Sequence, residues 1–119
     1  MNITREAKDG ARITLLNSES QRMLYFPRVY RKDGVDLWLY NGTLTRRTVS
    51  ADDPPDANRV IGRIPFYVGA FDYAKGKWVV TEGGDQRCGA RDRETMLAKF
   101  TEMIAAAVAE ELRKNSKTD

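Results

Sequence analysis

Apolar and polar residues follow strand-like spacing through most of this chain and helix-like spacing toward its end. Residues 12–16 (Arg-Ile-Thr-Leu-Leu) predict a short strand, and residues 22–31 a longer one rich in aromatic and β-branched side chains. Pro27 has no amide to donate, so the second strand lies at an edge or carries a bulge there. Lys32-Asp33-Gly34 then turns the chain. Residues 35–40 (Val-Asp-Leu-Trp-Leu-Tyr) and 43–49 (Thr-Leu-Thr-Arg-Arg-Thr-Val) flank Asn41-Gly42, a pair suited to the positive φ angles of a type I′ turn. A two-residue turn fixes the register. Tyr40 then faces Thr43, Trp38 faces Thr45 and Asp36 faces Arg47, all on one face. Leu37, Leu39, Leu44 and Arg46 take the other.

Residues 50–59 read as a polar loop, since two prolines and three aspartates do not suit a central strand. A β pattern resumes over residues 60–71, interrupted at Gly62 and Pro65. Tyr73-Ala74-Lys75-Gly76 turns into residues 77–81, a second hairpin. Gly83 to Ala90 reads as a loop. Asp92 is a suitable helix N-cap, because its carboxylate can accept first-turn amides. Beyond it Met96, Leu97, Phe100, Met103, Ile104, Ala107, Val108 and Leu112 recur at spacings of three and four, one broad apolar stripe. Arg113 and Lys114 suit the C-terminal dipole. The expected fold is α+β: a single domain over residues 1–119 with an antiparallel sheet of five or six hairpin-rich strands. One long C-terminal helix packs on one face. About ten residues at the start and five at the end read as frayed.

Composition narrows the class. Of 119 residues 41% are hydrophobic and 31% charged, a globular balance. The sequence has no His and one Cys. That excludes imidazole-dependent catalysis, zinc sites that need His, and an intrachain disulfide. One unpaired Cys suits a reducing compartment. The N-terminal residues lack an apolar signal core, and the run from Met103 to Ala109 falls short of the ~20 residues of a membrane span. The expectation is a cytoplasmic protein with no membrane association.

Net charge is +3, all of it in the first part: residues 1–70 hold 11 basic and 8 acidic side chains, residues 71–119 nine of each. Such an excess permits a polyanionic partner without requiring one.

Few residues combine into chemistry. The glycine-rich stretch from Gly83 to Arg91 leads into a helix N-terminus, where free amides favour anions. Gly84 and Gly89 have the spacing of a phosphate-binding loop, but Ala90 and Arg91 stand where its Lys and Ser or Thr belong. What remains is a possible anion contact through Arg87 and Arg91. The same two cations and the helix start favour a Cys88 thiolate, yet no His is present to act as its base. Asp52, Asp53 and Asp56 read as a solvated turn. No serine sits in a nucleophile elbow. The expectation is a non-enzyme without cofactor or metal.

The densest constellation lies in residues 25–47, where Tyr25, Arg28, Tyr30, Arg31, Lys32, Trp38, Tyr40, Arg46 and Arg47 interleave aromatics with cations. Single-stranded nucleic acid is held by that combination, with rings stacking bases and cations tracking phosphates. The same residue types make protein-interface hot spots, and an edge strand could pair with a partner's sheet. The order of a β-meander followed by a long C-terminal helix is similar to that of a family of single-strand-binding transcriptional coactivators, whose hairpin Phe71 to Val80 loosely matches. No site residue is carried over from that likeness. The reading is a small non-catalytic binding protein acting by occlusion or scaffolding, an inhibitor or accessory module of the kind found in mobile elements. The alternative is a single-stranded DNA or RNA binder using the basic–aromatic sheet face. Apolar surface left over on the helix would permit a homodimer.

Overall fold

The computed structural model describes residues 2–18, 23–46 and 60–116. Among these residues nine strands and one helix follow in chain order: β1 (Asn2–Glu6), β2 (Arg12–Ser18), β3 (Met23–Lys32), β4 (Val35–Tyr40), β5 (Thr43–Arg46), β6 (Val60–Arg63), β7 (Tyr67–Asp72), β8 (Lys77–Glu82), β9 (Asp85–Ala90) and α1 (Arg93–Ser116). All strand pairs are antiparallel. Strands β1 to β6 form a six-stranded sheet in sequence order, and β7, β8 and β9 a three-stranded meander. The two join where Met23 of β3 pairs with Ala70 of β7.

Strand β3 makes this branching possible. One edge pairs with β2, while the other pairs β4 only over Val29–Lys32 and meets β7 at Met23. Between them lies Pro27, beyond the end of the β4 pairing, with the β2–β3 register shifting as Thr14 meets Val29 and Leu15 meets Pro27. Arg28 is therefore the extra residue of a bulge, as the proline leads one to expect.

The hairpin registers follow from turn chemistry. Asn41 and Gly42 have φ of 49° and 83°, and Tyr40 faces Thr43, Trp38 faces Thr45 and Leu39 faces Leu44. Asp33 and Gly34 turn β3 into β4 with the same pair of signs, φ of 50° and 82°.

Two expectations fail here. The first residues are not frayed: β1 pairs along its whole length with β2. The stretch after Gly83 is not a loop either. Gly83 and Gly84, φ 59° and 89°, make a third tight turn, and β9 runs back along β8. Gly-Gly is itself a hairpin signal, outweighed in the sequence by the glycines and charges that follow.

Helix α1 starts as expected. The Thr95 amide donates to Asp92 Oδ2 at 2.8 Å, and the Thr95 hydroxyl donates to Oδ1 at 2.8 Å. Its stripe of Met96, Leu97, Phe100, Ile104 and Val108 is fully buried. These residues share a core with Ile13, Leu15, Tyr30, Leu37, Leu39, Leu44 and Val80. Burying each such side chain contributes about 1.5–3 kcal/mol, so this contact is what holds helix to sheet. Thr101, buried among them, donates its hydroxyl to the Leu97 carbonyl at 2.8 Å.

Polar ties then fix the helix laterally. Glu94 holds Arg5 at 3.2 Å, Glu102 accepts the Lys8 amide at 2.6 Å, and Glu111 accepts the Arg63 amide at 3.2 Å. Lys99 Nζ donates to the Gly89 carbonyl at 2.8 Å.

Candidate functional site

Strand alternation sends Leu37, Leu39 and Leu44 under the helix and turns Trp38 and Tyr40 to the opposite face. On that face a row crosses four strands: Thr14, Val29, Trp38 and Thr45 are register partners in succession. The half-buried Trp38 stands between Val29 and Thr45, which are buried. Trp38 thus belongs to the surface opposite α1 and not to the core beneath it. Tyr40, at the end of β4, is 66% exposed.

The remaining members of the basic–aromatic set do not gather around these rings. Tyr30 pairs with Leu37 on the helix side and is 2% exposed, so it is a core residue and no stacking platform. Burial pushes its phenol above the ordinary tyrosine value. Arg31 shares the Trp38 face but holds Asp36 at 3.3 Å. Lys32 holds Asp9 at 3.3 Å. The Ala11 amide, with help from Lys32, keeps Asp9 below the usual carboxylate range. Arg46 pairs with Leu37 and so projects to the helix side of the sheet, exposed and away from Trp38. Arg47, expected opposite Asp36, lies outside the described residues, as do Asp52, Asp53 and Asp56.

Arg28 and Tyr40 line a common cleft. The bulge at Arg28, the Asn41–Gly42 tip and residues 64–66 enclose a cleft of about 130 Å³ at the end of the sheet. Its walls include Pro27, Arg28, Tyr40, Gly42, Pro65 and Phe66. Phe66 is 40% exposed.

The cleft is built on a close backbone crossing. The Ile64 amide donates to the Gly42 carbonyl at 2.7 Å, and a Cβ on Gly42 would lie 2.6 Å from the Ile64 oxygen. Gly42 is thus required twice, for its φ and for this approach. Ile64 is buried beside it, anchoring the segment that presents Pro65 and Phe66. The sequence marks Pro65 as a break between strands. It does not reveal that the break returns to the first hairpin, because that contact spans 22 residues with no local pattern.

The second candidate region resolves differently. Gly84 belongs to a turn and Gly89 to β9, where Gly89 pairs with Val79, so no phosphate-binding loop forms. Arg87 holds Glu82 at 2.8 Å, whereas Arg91 is exposed in the short link to α1. Cys88 faces the helix, its Sγ 3.4 Å from Met103 Sδ. Burial pushes this thiol up, opposed only in part by Lys99. The thiolate stabilisation expected from Arg87 and Arg91 is therefore replaced by the opposite shift. Among the described residues no group of three or more Cys, Asp or Glu could hold a metal ion, and no helix is long and apolar enough to cross a membrane. Comparison with known protein families, curated proteins and solved structures returns no match.

Proposed function

We propose that this chain is a non-catalytic protein-binding module acting by occlusion or scaffolding, with its contact surface centred on the Tyr40–Phe66 cleft and reaching onto the Trp38 row. The observation that carries this reading is a pair of exposed aromatics, Tyr40 and Phe66, set on backbone that is locked tip to segment by Gly42 and Ile64. Aromatic side chains held rigid before binding lose little freedom on contact, and they dominate interface hot spots.

The nucleic-acid reading has less support. Its stacking set loses Tyr30 to the core and Arg46 to the other face, and carboxylates already engage Arg31 and Lys32. Pairing of a partner strand at an edge is also less supported: Glu111 takes the Arg63 amide on β6, and Lys99 takes the Gly89 carbonyl on β9. The helix stripe offers little for a dimer, because Met103, Ala107 and Leu112 pack against the core.

A photo-crosslinking amino acid at position 40 tests the proposal, with position 73 as control, since Tyr73 is 70% exposed in the turn between β7 and β8 and does not line the cleft. In cells, position 40 should capture a discrete protein and position 73 should not. Equal yields from both, or none from position 40, would overturn it. So would micromolar binding to single-stranded DNA or RNA that falls steeply with salt.

A further inference from the structure

Among the described residues, Arg28 is the only charged side chain lining the cleft. Four other arginines are engaged by carboxylates: Arg5 holds Glu94, Arg31 holds Asp36, Arg87 holds Glu82 and Arg113 holds Glu110. Arg28 is half-buried, and among the described residues it has no ion-pair or hydrogen-bond partner. A partly desolvated guanidinium with no carboxylate among the described lining residues gains most from a carboxylate brought by a ligand. Beside it, the space of about 130 Å³ is close to the ~150 Å³ that encloses one benzene ring.

The walls also favour one kind of carboxylate. A chain-terminal carboxylate is commonly captured by clustered backbone amides. Pro27 and Pro65 have no amide and the Ile64 amide is spent on Gly42, which thins the amides on two of the walls. A side-chain carboxylate, which needs only the guanidinium fork, suits this cleft better.

We infer that the cleft receives an acidic segment of a protein partner, with one aromatic or leucine side chain between Tyr40 and Phe66 and a neighbouring Asp or Glu carboxylate on Arg28. This rests on the protein-binding reading and specifies the chemistry of its partner. Recognition is then a pair of conditions, apolar filling and one ion pair, each modest alone. Lysine next to the apolar residue is rejected, because it would place a second cation against Arg28.

The test titrates the full ¹⁵N-labelled chain with short peptides blocked at both ends. One carries phenylalanine followed by aspartate, and the second and third replace the aspartate by asparagine or lysine. A fourth ends in phenylalanine with a free carboxylate. The aspartate peptide should shift the amides of Gly42 and Phe66 with a Kd near 1 mM, a fragment-scale affinity. It should bind about fivefold or more tightly than the asparagine peptide, with the gap shrinking as salt is added. Arg28→Gln should reduce aspartate to the asparagine level and leave the asparagine peptide unchanged, while Arg28→Lys should retain part of the gap. Equal binding of aspartate and asparagine, a gap that survives Arg28→Gln, or tighter binding of the free-carboxylate peptide would each overturn the inference. Absence of all binding would do the same, yet would leave the protein-binding reading standing if position 40 still crosslinks.

Discussion

The Asn41–Gly42 and Gly83–Gly84 turns share one backbone geometry, with φ of 49° and 83° in the first and 59° and 89° in the second. Their surroundings differ. At Gly42 another stretch of backbone passes so near that a methyl group would strike the Ile64 oxygen at 2.6 Å. At Gly83 and Gly84 an added Cβ would meet nothing within 4 Å. The same local code therefore serves two ends. One turn only reverses the chain. The other is a fixture, gripped by a segment distant in sequence, and aromatic side chains are mounted around it.

Substitutions can separate these roles. Gly42→Ala should have the largest effect. It combines left-handed strain of about 1–2 kcal/mol with displacement of the Ile64 carbonyl and its neighbouring hydrogen bond, for a loss of about 3 kcal/mol in urea unfolding. It should also shift the amides of Tyr40 and Phe66. Gly84→Ala should lose only the strain, about 1–2 kcal/mol, with the cleft amides unmoved. Equal losses from the two would break the comparison.

Asp92→Ala weakens the helix start and touches neither turn. Hydrogen bonds from the Thr95 amide and hydroxyl hold the Asp92 carboxyl below its usual range. Its stabilisation is therefore complete at neutral pH and is lost as pH falls through the lowered value. The difference in melting temperature between parent and variant should close from about pH 4 downward. A gap that persists at lower pH would show that the charge is not what stabilises the cap. Asn41→Gly should matter least, within about 0.5 kcal/mol, since glycine accepts the same φ and Asn41 is exposed at the turn. A larger loss would mean that the first turn depends on both of its residues.

Local signals carried the fold a long way. Asn41-Gly42 gave the register of β4 and β5, Pro27 announced the bulge, and the three-and-four spacing after Asp92 gave α1 with its cap. The class followed from them: an antiparallel sheet under one long helix. Missed elements had weak local evidence. Strand β1, Asn-Ile-Thr-Arg-Glu, has one large apolar residue, and its position is set by pairing with β2 and by Arg5 reaching Glu94. Strand β9 has almost none, and it is held by β8 and the helix.

The candidate surface was only half legible. Alternation placed Trp38 and Tyr40 together and set Arg46 on the opposite side. Alternation does not say which face the helix covers, so it does not separate Tyr30, which pairs with Leu37 in the core, from the exposed rings. Phe66 was invisible as a partner of Tyr40, because a crossing between distant segments leaves no periodic mark.

The glutamates that tie α1 to the sheet have a consequence for how the protein comes into being. Arg5 meets Glu94 and the Lys8 amide meets Glu102, joining positions 89 and 94 residues apart. Every described strand precedes α1 in the chain, so during synthesis that sheet emerges before the segment that covers its apolar side. Until then Leu37, Leu39, Leu44 and Val80 have no helix to pack against, and their surface is open to other sticky nascent chains. Closure of the core waits for α1, so the interval before the helix emerges is the one in which the sheet's apolar side stands uncovered.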